Sequence, residues 1–135
     1  MEALVIDTNV FVAAGFNPRS ASARILTAVR EGRLQLIWNK PTRRETEMIL
    51  RRIPCLSWES IADLFRPDGE FAGPVDPDAF ALIVDPDDRK FAALSAAAKR
   101  PLVTSDNDIL AQRNFLSIEA LTPAEFLARA RADRL

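Results

Sequence analysis

The 135-residue chain contains no histidine, no tyrosine, one cysteine and four glycines. Each shortage removes a class of chemistry. Without imidazole there is no Ser-His-Asp or Cys-His nucleophile system, no histidine general base and no His-containing zinc site. Cys55 alone makes neither an internal disulfide nor a thiolate metal cage, so nothing calls for an oxidising compartment. Gly15, Gly32, Gly69 and Gly73 form neither a G-x-G-x-x-G fingerprint nor a Walker loop. Apolar runs such as Phe80 to Val84 are too short to span a bilayer, and Met-Glu-Ala-Leu lacks the basic region of a secretion signal; a cytoplasmic protein without membrane association is expected. With 18 basic and 19 acidic residues the net charge is −1, which argues against indiscriminate polyanion binding but leaves room for a local basic face. What remains for chemistry is carboxylates, hydroxyls, lysine and arginine, so an enzyme made of this sequence is expected to work through acids that hold a metal.

The length and an apolar content of 48% fit one domain, residues 1–135, with a core of useful size. Ala3 to Ile6 is a short continuous apolar run ending in Asp-Thr-Asn, the pattern of a strand buried on both faces in a parallel sheet. Ser20 to Glu31 reads as a helix closed by Gly32, Leu34 to Trp38 as a second strand, and about Pro41 to Arg52 as a helix stopped by Pro54. The stretch from Pro54 to Pro86 holds five of the nine prolines and two of the four glycines, so it is expected to be loop-rich, with a short helix over Trp58 to Phe65. Phe80 to Val84 reads equally as a strand or the tail of a loop. Pro86 at a helix start, then Phe91, Leu94, Ser95 and Ala98 on one face, predicts a helix. Leu102 to Thr104 and Phe115 to Ile118 read as two more strands, and Thr122-Pro123-Ala124-Glu125 is a capping box launching a last helix to about Asp133. The alternation of strands and helices predicts an α/β fold, a three-layer α/β/α sandwich with a mostly parallel central sheet.

In such sheets the ligand crevice lies beyond the carboxyl ends of the strands, where strand order reverses. Asp7 follows the first strand directly and Asp106 follows the Leu102 strand, so neighbouring strands would bring the two carboxylates to the crevice. Glu45 and Asp88 lie near the starts of helices entered from the same sheet end and are placed to close a ring. Crowded carboxylates raise one another's pKa unless a cation neutralises them, and an all-oxygen set favours Mg²⁺ or Mn²⁺ over zinc. Each acid also has a plainer reading. Thr42-x-x-Glu45 is a legitimate capping box, Asp85-Pro86-Asp87-Asp88 a good N-cap with acids in the first turn, and Asp106 or Ser105 a cap for the helix that follows. Asp7 stands apart, because a carboxylate ending a buried apolar strand is costly without a partner. Helical geometry, about 100° per residue, puts Glu45 roughly 40° from Ile49 and Glu47 roughly 160° from it, so Glu45 borders the buried face while Glu47 points out between Arg43 and Arg51.

The segments VIDTNVFVAAGF, PTRRETEMILRR, DPDDRKFAALSAAA, PLVTSDNDIL and LTPAEFLARA resemble the PIN-domain ribonucleases in that order, and residues 54–84 fall outside the likeness. The combination is similar to the branch of VapC-type toxins of bacterial toxin–antitoxin pairs. The resemblance implies a metal-dependent endoribonuclease whose four acids are Asp7, Glu45, Asp88 and Asp106, with Asp108 an occasional addition to the metal shell. Thr8 and Asn9 match residues that steady the first acid, and Thr104 and Ser105 stand in the matching turn as further supports. It further implies Mg²⁺ or Mn²⁺ as cofactor, RNA as substrate, a small antitoxin as partner, and a homodimer. Lys40, Arg43 and Arg44, beside Glu45, are the candidates for holding the RNA backbone.

Overall fold

A strand that is apolar on both faces belongs in the interior of a sheet covered on both sides. In the computed structural model, which describes residues 1–133, β1 (Glu2–Ile6) occupies that place. It pairs in parallel with β2 (Leu34–Leu36) on one side and with β3 (Leu102–Val103) on the other, and β4 (Ala120–Leu121) adds to β3. The result is a four-stranded parallel sheet in the order β2-β1-β3-β4. The chain leaves β1 for β2 at one edge and later returns across β1 to β3. That reversal opens a crevice between the carboxyl ends of β1 and β3.

The period-two alternation of a strand sorts its side chains into two cores. Leu4, Ile6 and Val103 enter one of them. There they meet Val10 and Phe11 of α1 (Thr8–Phe16), Ile25 and Val29 of α2 (Ala21–Arg30), Leu50 of α3 (Lys40–Arg52) and Phe126 of α6 (Pro123–Asp133). Val5, Leu102 and Ala120 enter the other, against Phe91 and Leu94 of α4 (Arg89–Ala98) and Ile109 of α5 (Asn107–Ala111). The three-layer α/β/α sandwich expected from the alternation of elements is therefore present. Positions 134 and 135 of the single-domain span lie outside the described residues. No helix among the described residues is long and apolar enough to cross a membrane.

Local chemistry sets the element ends. Ser20 accepts a hydrogen bond from the Ala23 amide to start α2, and Gly32, with φ of +78°, lets the chain leave it, as anticipated. The helix over Thr8 to Phe16 was not legible, because its residues are nearly all apolar and carry no 3.6-residue contrast. One expected strand is corrected, and the segment that read equally as strand or loop is a loop. Phe115 to Ile118 is not a strand: Arg113–Phe115 is a 3-10 turn with an exposed Phe115, and β4 forms later. Phe80 to Val84 follows a 3-10 turn, Pro77–Phe80, and buries Phe80 and Ile83 beneath α4 as a loop does. The helix expected over Trp58 to Phe65 shrinks to a 3-10 turn at Ala62–Leu64. Pro86 opens a 3-10 turn, Pro86–Asp88, and α4 proper begins at Arg89.

The proline-rich middle shields the sheet edge at β2. The Trp38 amide donates to Gly69 O at 3.1 Å and the Phe71 amide to Trp38 O at 2.8 Å, a short parallel pairing just past the end of β2. Gly69 is required there, since a Cβ would stand 2.1 Å from the backbone oxygen of Leu36. Gly69→Ala is expected to destabilise the fold by about 1–3 kcal/mol, the usual cost of forcing atoms into a filled site, as read by chemical denaturation followed by circular dichroism.

Candidate active site

The end of β1 delivers Asp7 to the crevice with its carboxylate almost completely buried, at 2% exposure. The Asp7 amide still belongs to the sheet, donating to Val103 O at 2.9 Å, and the side chain turns to cap α1. Its Oδ1 accepts from the Thr8 amide at 2.8 Å, and its Oδ2 accepts from the Thr104 hydroxyl at 2.8 Å and the Asn9 side-chain amide at 3.4 Å. Burial is the largest influence on Asp7 and lifts its pKa to about 6; the Thr104 and Thr8 hydrogen bonds oppose the rise, while the charge of Asp106 adds to it.

The supporting residues form one connected set. The buried Thr104 passes its hydroxyl between Asp7 and the Asp106 amide, which donates to it at 3.0 Å. Asn9 holds the same turn from the other side, accepting from the Ser105 amide at 3.1 Å. Thr8 steadies Asp7 through its backbone amide, whereas its hydroxyl is 2.9 Å from that of Thr46 on α3. Thr46 was missed in the sequence because a lone threonine on a helix gives no sign of a partner 38 residues away.

Asp106 caps α5, its Oδ1 accepting from the Asp108 amide at 2.8 Å. Asp108 is exposed in the first turn of that helix. Asp85, rather than Asp88, caps the turn before α4 by accepting from the Asp87 amide, so the Asp88 carboxyl is not spent on a cap. Burial pushes Asp88 up to about 8, reinforced by a hydrogen bond with Asp106 and by the charges of Asp7, Asp106 and Asp85. Asp7, Asp88 and Asp106 thus share one electrostatic neighbourhood at the crevice. They are not drawn into a closed shell: among the described residues no three acids are gathered closely enough to hold a metal ion.

Glu45 does not complete a ring with them. The start of α3 is capped by Asn39, which accepts from the Thr42 amide while the Thr42 hydroxyl receives the Asn39 amide, so the capping box read as Thr42 to Glu45 lies three residues earlier. Glu45, released from capping, accepts from Lys90 Nζ at 2.8 Å. Nearby, Lys40, Arg43 and Arg44 line a cavity of about 340 Å³ with Trp38, Glu47 and Glu70. Arg43 is committed to packing, 5.0 Å over the Trp58 ring and 3.4 Å from Glu47; Lys40 and Arg44 are exposed, with no ion pair among the described residues.

With this geometry in view, the comparison with known families decides the family. A family model described as the PIN domain matches residues 3–108, a span holding every acid discussed above. The chain belongs to the PIN-domain family. No curated protein matches it in sequence. PIN domains are generally nucleases that use divalent metals.

The donor set of this PIN domain suits such an ion. It is oxygen-only, and two of its acids hold protons more tightly than isolated carboxylates do, chiefly because they are buried, with the charge of neighbouring acids adding to the effect. The sign of the consequence follows from linkage. A carboxyl whose pKa is raised by folding contributes stability below its unfolded pKa and loses it as pH rises through the folded value. For Asp7 that window runs from about 3.8 to about 6, and Asp88 extends the decline toward about 8. In metal-free buffer Asp7→Asn is therefore expected to be more stable than wild type at pH 8, by about 1–3 kcal/mol at 1.36 kcal/mol per pKa unit, with the gap closing near pH 4. Urea midpoints at the two pH values read it, and a variant less stable than wild type at pH 8 would contradict the assignment.

Proposed function

We propose that this PIN domain is a metal-dependent endoribonuclease. The observation that carries the reading is the shared electrostatic neighbourhood of Asp7, Asp88 and Asp106 near the switch point of the sheet, where a hydrogen-bonded frame of Thr104, Asn9 and the Ser105 amide fixes Asp7 and the turn before Asp106. Asp7, Asp88 and Asp106 would hold Mg²⁺ or Mn²⁺, which supplies the charge that makes water nucleophilic near neutral pH and steadies the departing 3′ oxygen. The chain's own residues do the rest. Thr104 and the Thr8 amide fix the Asp7 oxygens in direction, so the acid does not reorient when a phosphodiester arrives. Lys40 and Arg44 offer uncommitted cations for the RNA backbone, and the cavity they border gives a strand room beside the crevice. A route of this kind needs neither imidazole nor the ribose 2′-hydroxyl as nucleophile, and it leaves a 5′-phosphate.

The role of toxin in a toxin–antitoxin pair, with a small antitoxin, a homodimer and a cytoplasmic site of action, is part of the same proposal and rests on the resemblance of the motif segments. A second reading, a non-catalytic PIN-like module that binds RNA or protein, is favoured by one observation, the open spacing of the acids.

Cleavage of a single-stranded RNA pool in Mn²⁺ separates the two. Asp88→Asn and Asp106→Asn are each expected to slow cleavage by roughly 100-fold or more, the scale of a positioned catalytic group, and EDTA to abolish it; activity surviving both substitutions would overturn the proposal. Replacing Lys40 and Arg44 together by alanine is expected to weaken RNA binding and to lower the slope of log affinity against log salt by about 1.4, near 0.7 per lost phosphate contact. An unchanged slope would remove those residues from the interface.

A further inference from the structure

Three side chains make up the buried stripe of α3: Thr42, Thr46 and Leu50. Leu50 belongs to the apolar core, and the Thr42 hydroxyl is spent on the helix cap. Thr46 has neither duty. It is 1% exposed, at a place where valine has the same shape and brings no hydroxyl to satisfy. Its hydroxyl lies 2.9 Å from that of Thr8, the first residue of α1, and the Thr8 amide donates to Asp7 Oδ1 at 2.8 Å. Thr8 thus stands between α3 and the buried acid, bonded to both.

The residue beside Thr46 reaches the other wall. Glu45 Oε1 is 2.8 Å from Lys90 Nζ, and Lys90 stands two positions beyond Asp88 in the first turn of α4. The Lys90 and Glu45 side chains are 23% and 13% exposed, the most buried ion pair among the described residues. Adjacent residues of one helix therefore tie it to the segment after Asp7 and to the segment after Asp88. Both ties are sheltered from water, where screening is weak and a broken contact leaves a polar group unpaired. The same helix carries Lys40 and Arg44.

We infer that Glu45 and Thr46 clasp α3 across the starts of α1 and α4, and that Thr46 is a positioning residue, acting through Thr8 on the direction of Asp7. The part of this that concerns turnover rests on the reading of the crevice as a nuclease site.

Hydrogen exchange at the Thr8 amide, followed by NMR on the purified full chain, tests the tie without any substrate. Thr46→Val is expected to speed that exchange by roughly tenfold, the scale of one lost hydrogen bond, and Thr46→Ser, which keeps a hydroxyl, to leave it near wild type. Thr8→Val with Thr46→Val removes both hydroxyls, so the urea midpoint lost in Thr46→Val is expected to return. In RNA cleavage this double variant is nonetheless expected to keep a kcat lower by roughly 10- to 100-fold, the effect of a misdirected group, at unchanged KM. A threonine that only stabilises would give back both midpoint and kcat in the double variant. That result, or unaltered Thr8 exchange in a folded Thr46→Val, would overturn the inference. Exchange that responds as expected in a chain whose wild type cleaves no RNA would overturn the nuclease reading and leave the tie standing.

Discussion

The structure turns on a carboxylate that folding buries against its electrostatic preference. Asp7 ends an interior strand at 2% exposure, where a bare charge is costly, and much of what surrounds it offsets that cost. Thr104 aims its hydroxyl at Asp7 from the neighbouring strand end, Thr8 supplies an amide from the helix Asp7 caps, and Asn9 bridges to the Ser105 turn. The network locks the ends of β1 and β3 together. It thereby sets where Asp106 emerges.

Seen from this network, the near-neutral net charge is a sum of unlike regions. Three acids share one crevice, two of them with pKa values raised chiefly by burial. The exposed cations Lys40 and Arg44 line a separate cavity, and the Lys90–Glu45 pair joins α3 to α4. The Thr8–Thr46 hydroxyl contact ties α3 to the same frame, so the acidic and basic regions are positioned relative to one another by buried bonds.

Where the sequence carried local chemistry, it could be read. Strand ends followed at once by Asp7 and by Thr104-Ser105-Asp106 were legible because a buried strand is a short apolar run and a sheet places its carboxyl ends together. The three layers followed from the alternation of elements. What escaped depends on distance or on uniform composition. The helix from Thr8 to Phe16 hides in an apolar stretch without periodic contrast. The last strand was placed too early because Phe115 to Ile118 is as apolar as Ala120–Leu121, and only pairing with β3 selects the latter. Glu45 sits at the border of the buried side of α3, where the helix-face count put it, with the buried Thr46 next to it, but their partners Lys90 and Thr8 come from 45 and 38 residues away. The competing capping reading of Glu45 gave way because Asn39 fits the cap three residues earlier.

We propose that Asp7, Asp88 and Asp106 act together on a divalent cation. A crystal of the wild-type protein soaked in Mn²⁺ and measured near the manganese absorption edge tests it directly. The account predicts an anomalous peak within about 2–2.5 Å of oxygens from these three carboxylates, the range for hard cations, with Glu45 still on Lys90. A peak held by other residues, or none at this crevice, would contradict it.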